Sequence, residues 1–203
     1  MTDATYQPKV YHKQGGDEMV VASGGVVTFE ADSTLDLTSK TNVTPGAGFS
    51  GGTGTVIKSS VFRVGDIFIT RFLIDLTGLA SSTTDLDIIG VGASAAYFGQ
   101  VTAAANGTIL SGTMTCLEVP AGGADDIDLY SATEATGVFD AGIATLAETA
   151  LVTSGGAWTL GGMKALSAVP AANEYLYLTG GEAGTAATYT AGKFLIELQG
   201  YAS

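Results

Sequence analysis

The side chains able to make and break bonds are few and far apart. The 203 residues hold one histidine, His12, and one cysteine, Cys116. A Ser-His-Asp or Cys-His machine needs an imidazole as its base, so His12 would have to serve, and a Cys-His pair would have to use Cys116. Cys116 lies in Thr113-Met-Thr-Cys-Leu117, which alternates as a strand does, and reads as an inert core thiol. His12 stands between Tyr11 and Lys13 and reads as a surface or interface residue. Zinc wants three or four ligands, mostly His or Cys, and the chain offers two. No catalytic residue and no cofactor are expected.

Carboxylates are the plentiful group. The densest run is Ala124-Asp125-Asp126-Ile127-Asp128, just after Gly122-Gly123, and Asp85 and Asp87 form a second Asp-x-Asp. Calcium takes hard oxygen ligands from such loops, so Asp125, Asp126 and Asp128 are the calcium candidates. Neither run has the twelve-residue loop with Gly at its sixth place and a closing Glu, and a solvated turn is the simpler expectation. Paired carboxylates also serve glycosidases, but those grip sugars on aromatic platforms and Trp158 is the one tryptophan here. The Gly-rich Gly51-Gly-Thr-Gly-Thr-Val56 lacks the Gly-Lys-Ser/Thr ending of a phosphate loop and leads into a strand, so nucleotide binding is not expected.

Composition sets what must position these groups. Charged residues are 14% of the chain, against roughly 25% in an average domain. Glycine is 29 of 203, about twice its usual share of roughly 7%. This is a strand-and-turn composition, poor in the residues that fill surface helices. One cysteine allows no disulfide within the chain, so stability rests on packing or oligomerisation. The polar start Met1-Thr2-Asp3-Ala4-Thr5 shows no signal pattern, and no apolar run reaches the roughly 18 residues of a membrane span. No membrane partner is expected, and synthesis in a cytoplasm is. The net charge of −12 has the wrong sign for a phosphate backbone, so no nucleic-acid partner is expected either. Charge is uneven: residues 1–71 hold six bases and seven acids, residues 72–203 two bases and thirteen acids. The near-neutral N-terminal third is the expected docking part, and the acidic remainder is expected to face solvent.

Gly-Gly pairs at 15–16, 24–25, 51–52, 122–123, 155–156, 161–162 and 180–181 mark turns between short strand-like runs. The clearest pair is Thr55–Val64 and Ile67–Leu76 across Gly65-Asp66, which predicts a tight hairpin. Both faces of its second strand are largely apolar, predicting a central strand covered on each side. Further strands are predicted over 7–12, 17–22, 26–30, 86–91, 96–102, 108–119, 127–130, 174–179 and 193–201. Residues 140–151 space Ile143, Leu146, Ala147, Ala150 and Leu151 helically, with Asp140 as a candidate N-cap, so one short helix is expected there. The fold expected is all-β: a β-sandwich or jelly-roll-like body over 51–203 behind an extended, β-rich N-terminal arm over 1–50.

The run Lys13-Gln-Gly-Gly-Asp-Glu-Met-Val-Val-Ala-Ser-Gly-Gly-Val-Val-Thr-Phe-Glu-Ala31 resembles the opening of small virion proteins of tailed bacteriophages. Gly65-Asp66-Ile67, Asp75-Leu-Thr-Gly-Leu79, Ala103–Gly107, Thr115-Cys-Leu-Glu-Val-Pro-Ala-Gly-Gly123 and the end, Tyr189–Tyr201, are similar to phage structural proteins as well. The likeness spans most of the chain and brings no catalytic pattern. It implies a head decoration, or cement, protein: a homotrimer on the capsid exterior that clamps neighbouring capsomers, with the major capsid protein and itself as partners. The arm would then dock, with Tyr11, His12, Lys13, Val20, Val26 and Phe29 as candidate interface residues. The alternative is a tail-associated or receptor-binding module, which would expose aromatics on loops, such as Trp158 or Tyr189. A carboxylate-based hydrolase is the third class.

Overall fold

The computed structural model describes residues 10–12, 15, 19–21, 26, 44–183 and 186–202. The chain divides into a unit of residues 1–36 and a unit of residues 37–203. In the first, β1 (Val10–His12) pairs antiparallel with β2 (Met19–Val21), setting Tyr11 opposite Val20 and His12 opposite Met19.

The second unit is built from two antiparallel sheets. Alternation makes the strands. In β4 (Ile67–Asp75), Phe68, Thr70, Phe72 and Ile74 are buried and the residues between them are not. In β11 (Ala191–Tyr201), Phe194, Ile196 and Leu198 are buried with the same period of two. These strands join β3 (Val56–Val64), β6 (Thr108–Ala121) and β9 (Met163–Ala165) in a five-stranded sheet ordered β3-β4-β11-β6-β9. The predicted hairpin forms: β3 and β4 pair without a register break from Val56–Asp75 to Val64–Ile67. Gly65 turns at φ +61°, the positive φ that a two-residue hairpin asks of glycine.

The second sheet is ordered β5-β10-β7-β8, from β5 (Gly99–Gln100), β10 (Tyr175–Gly180), β7 (Ile127–Ala132) and β8 (Glu148–Val152). One apolar core joins the sheets face to face: Phe72, Ile74, Met114, Cys116, Phe194 and Ile196 from the first meet Ile127, Leu129, Leu151, Leu176 and Leu178 from the second. The arrangement is sandwich-like and all-β, as expected from composition. Each fully buried Phe or Leu stabilises it by roughly 1.5–3 kcal/mol. A smaller cluster of Ile88, Ala96, Tyr130, Ala132, Ile143 and Tyr177 lies on the far side of the four-stranded sheet, so every residue of β7 is buried.

Two one-turn helices, α1 (Ala47–Ser50) and α2 (Ala103–Asn106), plug the body. Phe49 of α1 is fully buried with its ring 5.6 Å from that of Phe98. The Thr102 hydroxyl caps α2 by accepting the Ala105 N–H, and buried Asn106 donates to the Thr70 hydroxyl at 2.8 Å.

Three expectations need correction. Residues 140–151 are not an α-helix: a 3-10 turn over Ile143–Thr145 leads into strand β8. Asp140 takes φ +65° and accepts the Ser82 hydroxyl, so it is no N-cap. Pairing of Ala150 with Tyr130 and Val152 with Leu129 outweighs a helical spacing already undercut by Gly142. Second, β4 is covered on one face only. It lies inside its sheet, between β3 and β11, yet Ile67 is 43% exposed on the outer face and Ile69 and Leu73 are half-buried. Third, residues 86–91, predicted as a strand, make single bridges such as Ile88–Thr179 instead of a ladder.

Candidate functional site

Two surfaces of the body carry unusual chemistry. The first is the outer face of the five-stranded sheet. Register places Val56, Lys58, Ser60 and Phe62 of β3 beside Asp75, Leu73, Arg71 and Ile69 of β4, and Lys193, Leu195, Glu197 and Tyr201 of β11 beside Asp75, Leu73, Arg71 and Ile67. A polar band crosses it. Arg71 Nε donates to Glu197 at 2.7 Å, and Lys193 bridges Asp75, at 3.3 Å, and Glu118. These pairs are half-exposed and fix side-chain positions more than they stabilise. Apolar residues flank the band: Ile67 and its cross-strand partner Tyr201 are both more than 40% exposed.

Strand β6 adds to this surface through three irregularities. It pairs with β11 with register shifts between Ala191 and Lys193, between Lys193 and Phe194, and between Gln199 and Gly200. Two of these leave Leu117 and Leu110 without a direct partner, and both are exposed.

Charge separates between the sheets. All five bases of residues 44–203 (Lys58, Arg63, Arg71, Lys164 and Lys193) lie on strands of the five-stranded sheet, whose acids are Asp75, Glu118 and Glu197. The rest of that stretch carries eleven acids and no base. The sequence asymmetry had been expected to set an N-terminal third against the remainder; within the body the bases gather on the strands of one sheet, while the other sheet and the connections, the β3–β4 turn with Asp66 included, carry acids alone.

The second surface is the acidic end of the four-stranded sheet. Asp126 and Asp128 are buried, whereas Asp125 stays partly exposed. Ser154, from the β8–β9 connection, holds both: its N–H donates to Asp128 Oδ1 at 2.5 Å and its hydroxyl donates to Asp126. Burial raises the Asp128 pKa; the Ser154 N–H opposes that, nearby Asp126 and Asp85 add to it, and Lys164 lowers it. The predicted solvated turn is therefore a buried carboxylate pair. Asp85 and Asp87 part company: Asp87 is buried and accepts the Ser82 hydroxyl at 2.7 Å, and Asp85 is exposed. Among the described residues, no three His, Cys, Asp or Glu side chains gather as a metal-binding set. Ser154 has no signal in local spacing, because it lies 26 residues from Asp128.

The remaining candidates are placed as follows. Cys116 is fully buried in the core, donates to the Glu118 carbonyl and has its thiol pKa raised by burial, so it is no nucleophile in the folded chain. Tyr11 and His12 lie on β1 and half-buried Val20 on β2, and Val26 is 77% exposed. Lys13 and Phe29 lie outside the described residues. Trp158 and Tyr189 are both interior. The Trp158 ring meets Phe194 edge-on at 5.3 Å and its Nε1 donates to the Ile127 carbonyl, while the Tyr189 hydroxyl donates to the Ala124 carbonyl. Ser154, Trp158, Met163 and Lys164 line an open cleft of about 380 Å³.

No family model, curated protein or solved structure matches the chain.

Proposed function

We propose that the chain is a non-catalytic structural protein of a tailed-phage virion, a homotrimeric decoration protein that binds the capsid exterior and clamps neighbouring capsomers. The sequence resemblance supports the virion setting. The observation that carries assembly is the outer face of the five-stranded sheet: partly apolar, holding three of the body's five bases (Lys58, Arg71 and Lys193), and opposed by a sheet whose own strands carry acids and no base. Such a face suits a partner surface, because exposed Ile67, Tyr201, Leu110 and Leu117 gain from removal from water while like-charge repulsion stays on the other side. The N-terminal arm is the second contact in this reading, through Tyr11, His12, Lys13, Val20, Val26 and Phe29; its expected end at residue 50 is drawn back, because Phe49 is buried in the core of the body. The edge of β3, nine residues without proline or register break, offers the kind of template that an extended segment can join.

Copy number per particle tests the reading. Quantitative mass spectrometry of purified virions is expected to find on the order of hundreds of copies, as a lattice of trimers requires. About a dozen or fewer would favour the tail-associated alternative. That alternative is less well supported, since the loop aromatics it would use, Trp158 and Tyr189, are committed to the interior.

A further inference from the structure

We propose that Asp126 and Asp128, together with the hydroxyl of Thr179, bind a hard divalent cation of the calcium class at the acidic end of the four-stranded sheet. The site is independent of the assembly reading.

The register brings these groups to one face. Thr179 stands opposite Asp128 in the β10–β7 ladder, and the Gly181 N–H donates to the Asp126 carbonyl at 2.8 Å, extending the pairing by one step. Residues 126, 128, 179 and 181 therefore alternate to the same side. Gly181 leaves space there. A Cβ at that position would clash with Asp126 Oδ1 and lie 3.0 Å from Asp128 Oδ1, so both carboxylates converge over the backbone where a side chain is missing.

Thr179 supplies an observation apart from the acids. It is completely buried, and its Oγ1 has no hydrogen-bond partner among the described residues. A buried hydroxyl is expected to be satisfied, and this one stands directly beside a buried carboxylate. Ser154 offers two protons to the four carboxylate oxygens of Asp126 and Asp128. A cation bonded to both carboxylates and the Thr179 oxygen satisfies the remaining groups together. The donors are all oxygen, which selects against zinc and for calcium-like ions. With two carboxylates the dissociation constant should fall in the weaker range, about 10⁻⁴–10⁻³ M. Exposed Asp85 and Glu182 and half-exposed Asp125 surround the approach and raise the local cation concentration.

Calorimetric titration and thermal melting of the full, EDTA-treated chain with calcium chloride test the site. One ion per chain is expected, with Tm raised by about 3–5 °C at ten times the dissociation constant. The double variant Asp126→Asn/Asp128→Asn should lose both signals, and Thr179→Val should weaken binding several-fold. Asp87→Asn, altered on the Ser82 side, should bind as the parent does. No heat and no shift at about 10 mM calcium, well above the expected constant, would overturn the proposal. So would full binding by the double variant. Should the double variant fail to fold, the parent titration and Thr179→Val decide: undiminished affinity without the hydroxyl also sinks the site as drawn.

Discussion

At the residue scale, the buried polar side chains described in the body have partners, the Thr179 hydroxyl excepted. Asp75 is an example. Burial alone would raise its pKa, but the Thr77 hydroxyl at 2.7 Å, the Thr77 N–H at 3.1 Å and the Lys193 ammonium outweigh it, so the net pKa is lowered. A carboxylate whose folded pKa lies below its unfolded value of about 3.9 adds stability above that value and loses it as pH falls through the folded one. Asp75→Asn should therefore cost about 1 kcal/mol at pH 7, with the difference from the parent closing below about pH 4. Urea unfolding at pH 7 and pH 3 checks this; an equal gap at both would show that Asp75 acts through shape and not charge. Cys116 illustrates how far single residues can be read in advance. The alternation Thr113-Met114-Thr115-Cys116 sufficed to place it inside beside Met114, because a strand's period of two leaves little choice once one face is buried.

At the element scale, the hairpin was plain from Gly65-Asp66 between two apolar runs, since turn and strands are local. Strands β8 and β9 were not, because each is held by its partner: Ala150 by Tyr130, and Met163 by Thr115. A helical spacing at 143–151 cannot report that a sheet edge waits for it. The outer face of β4 was misread for a related reason. Apolar residues on both parities suggest two covered faces, and here the second face stays partly open. If that face docks, its cross-strand pair Ile67 and Tyr201 should matter for association and little for folding. Ile67→Ser/Tyr201→Ser should shift folding stability by less than about 1 kcal/mol, because both side chains are already partly solvated. The same change should weaken self-association or binding to undecorated capsids by at least about tenfold. Melting and sedimentation separate the two effects, and unchanged association would remove this face from the docking surface.

At the scale of the whole molecule, the question is which part grips. The body has its own two-sheet core drawn from residues 49–198, so it should not need the first residues in order to fold. Deleting residues 1–24 is expected to leave the melting of the body within a few degrees of the parent and to abolish decoration of capsids. Full occupancy by the truncated chain would show that the body's sheet face binds without the arm.

Composition and pattern by themselves determined the class of this protein: scarce charge, doubled glycine and period-two alternation leave an all-β chain as the consistent solution, with its one thiol inside. They also located the acids at 125–128. Tertiary structure alone decided what those acids meet. Thr179, Gly181 and Ser154 reach Asp126 and Asp128 only because β10 pairs with β7 and the β8–β9 connection folds over them. It likewise decided that the bases of the body share one sheet, since strands distant in sequence become neighbours only through pairing. Local spacing records what a residue's immediate neighbours allow, whereas a site built across strands is set by long-range register.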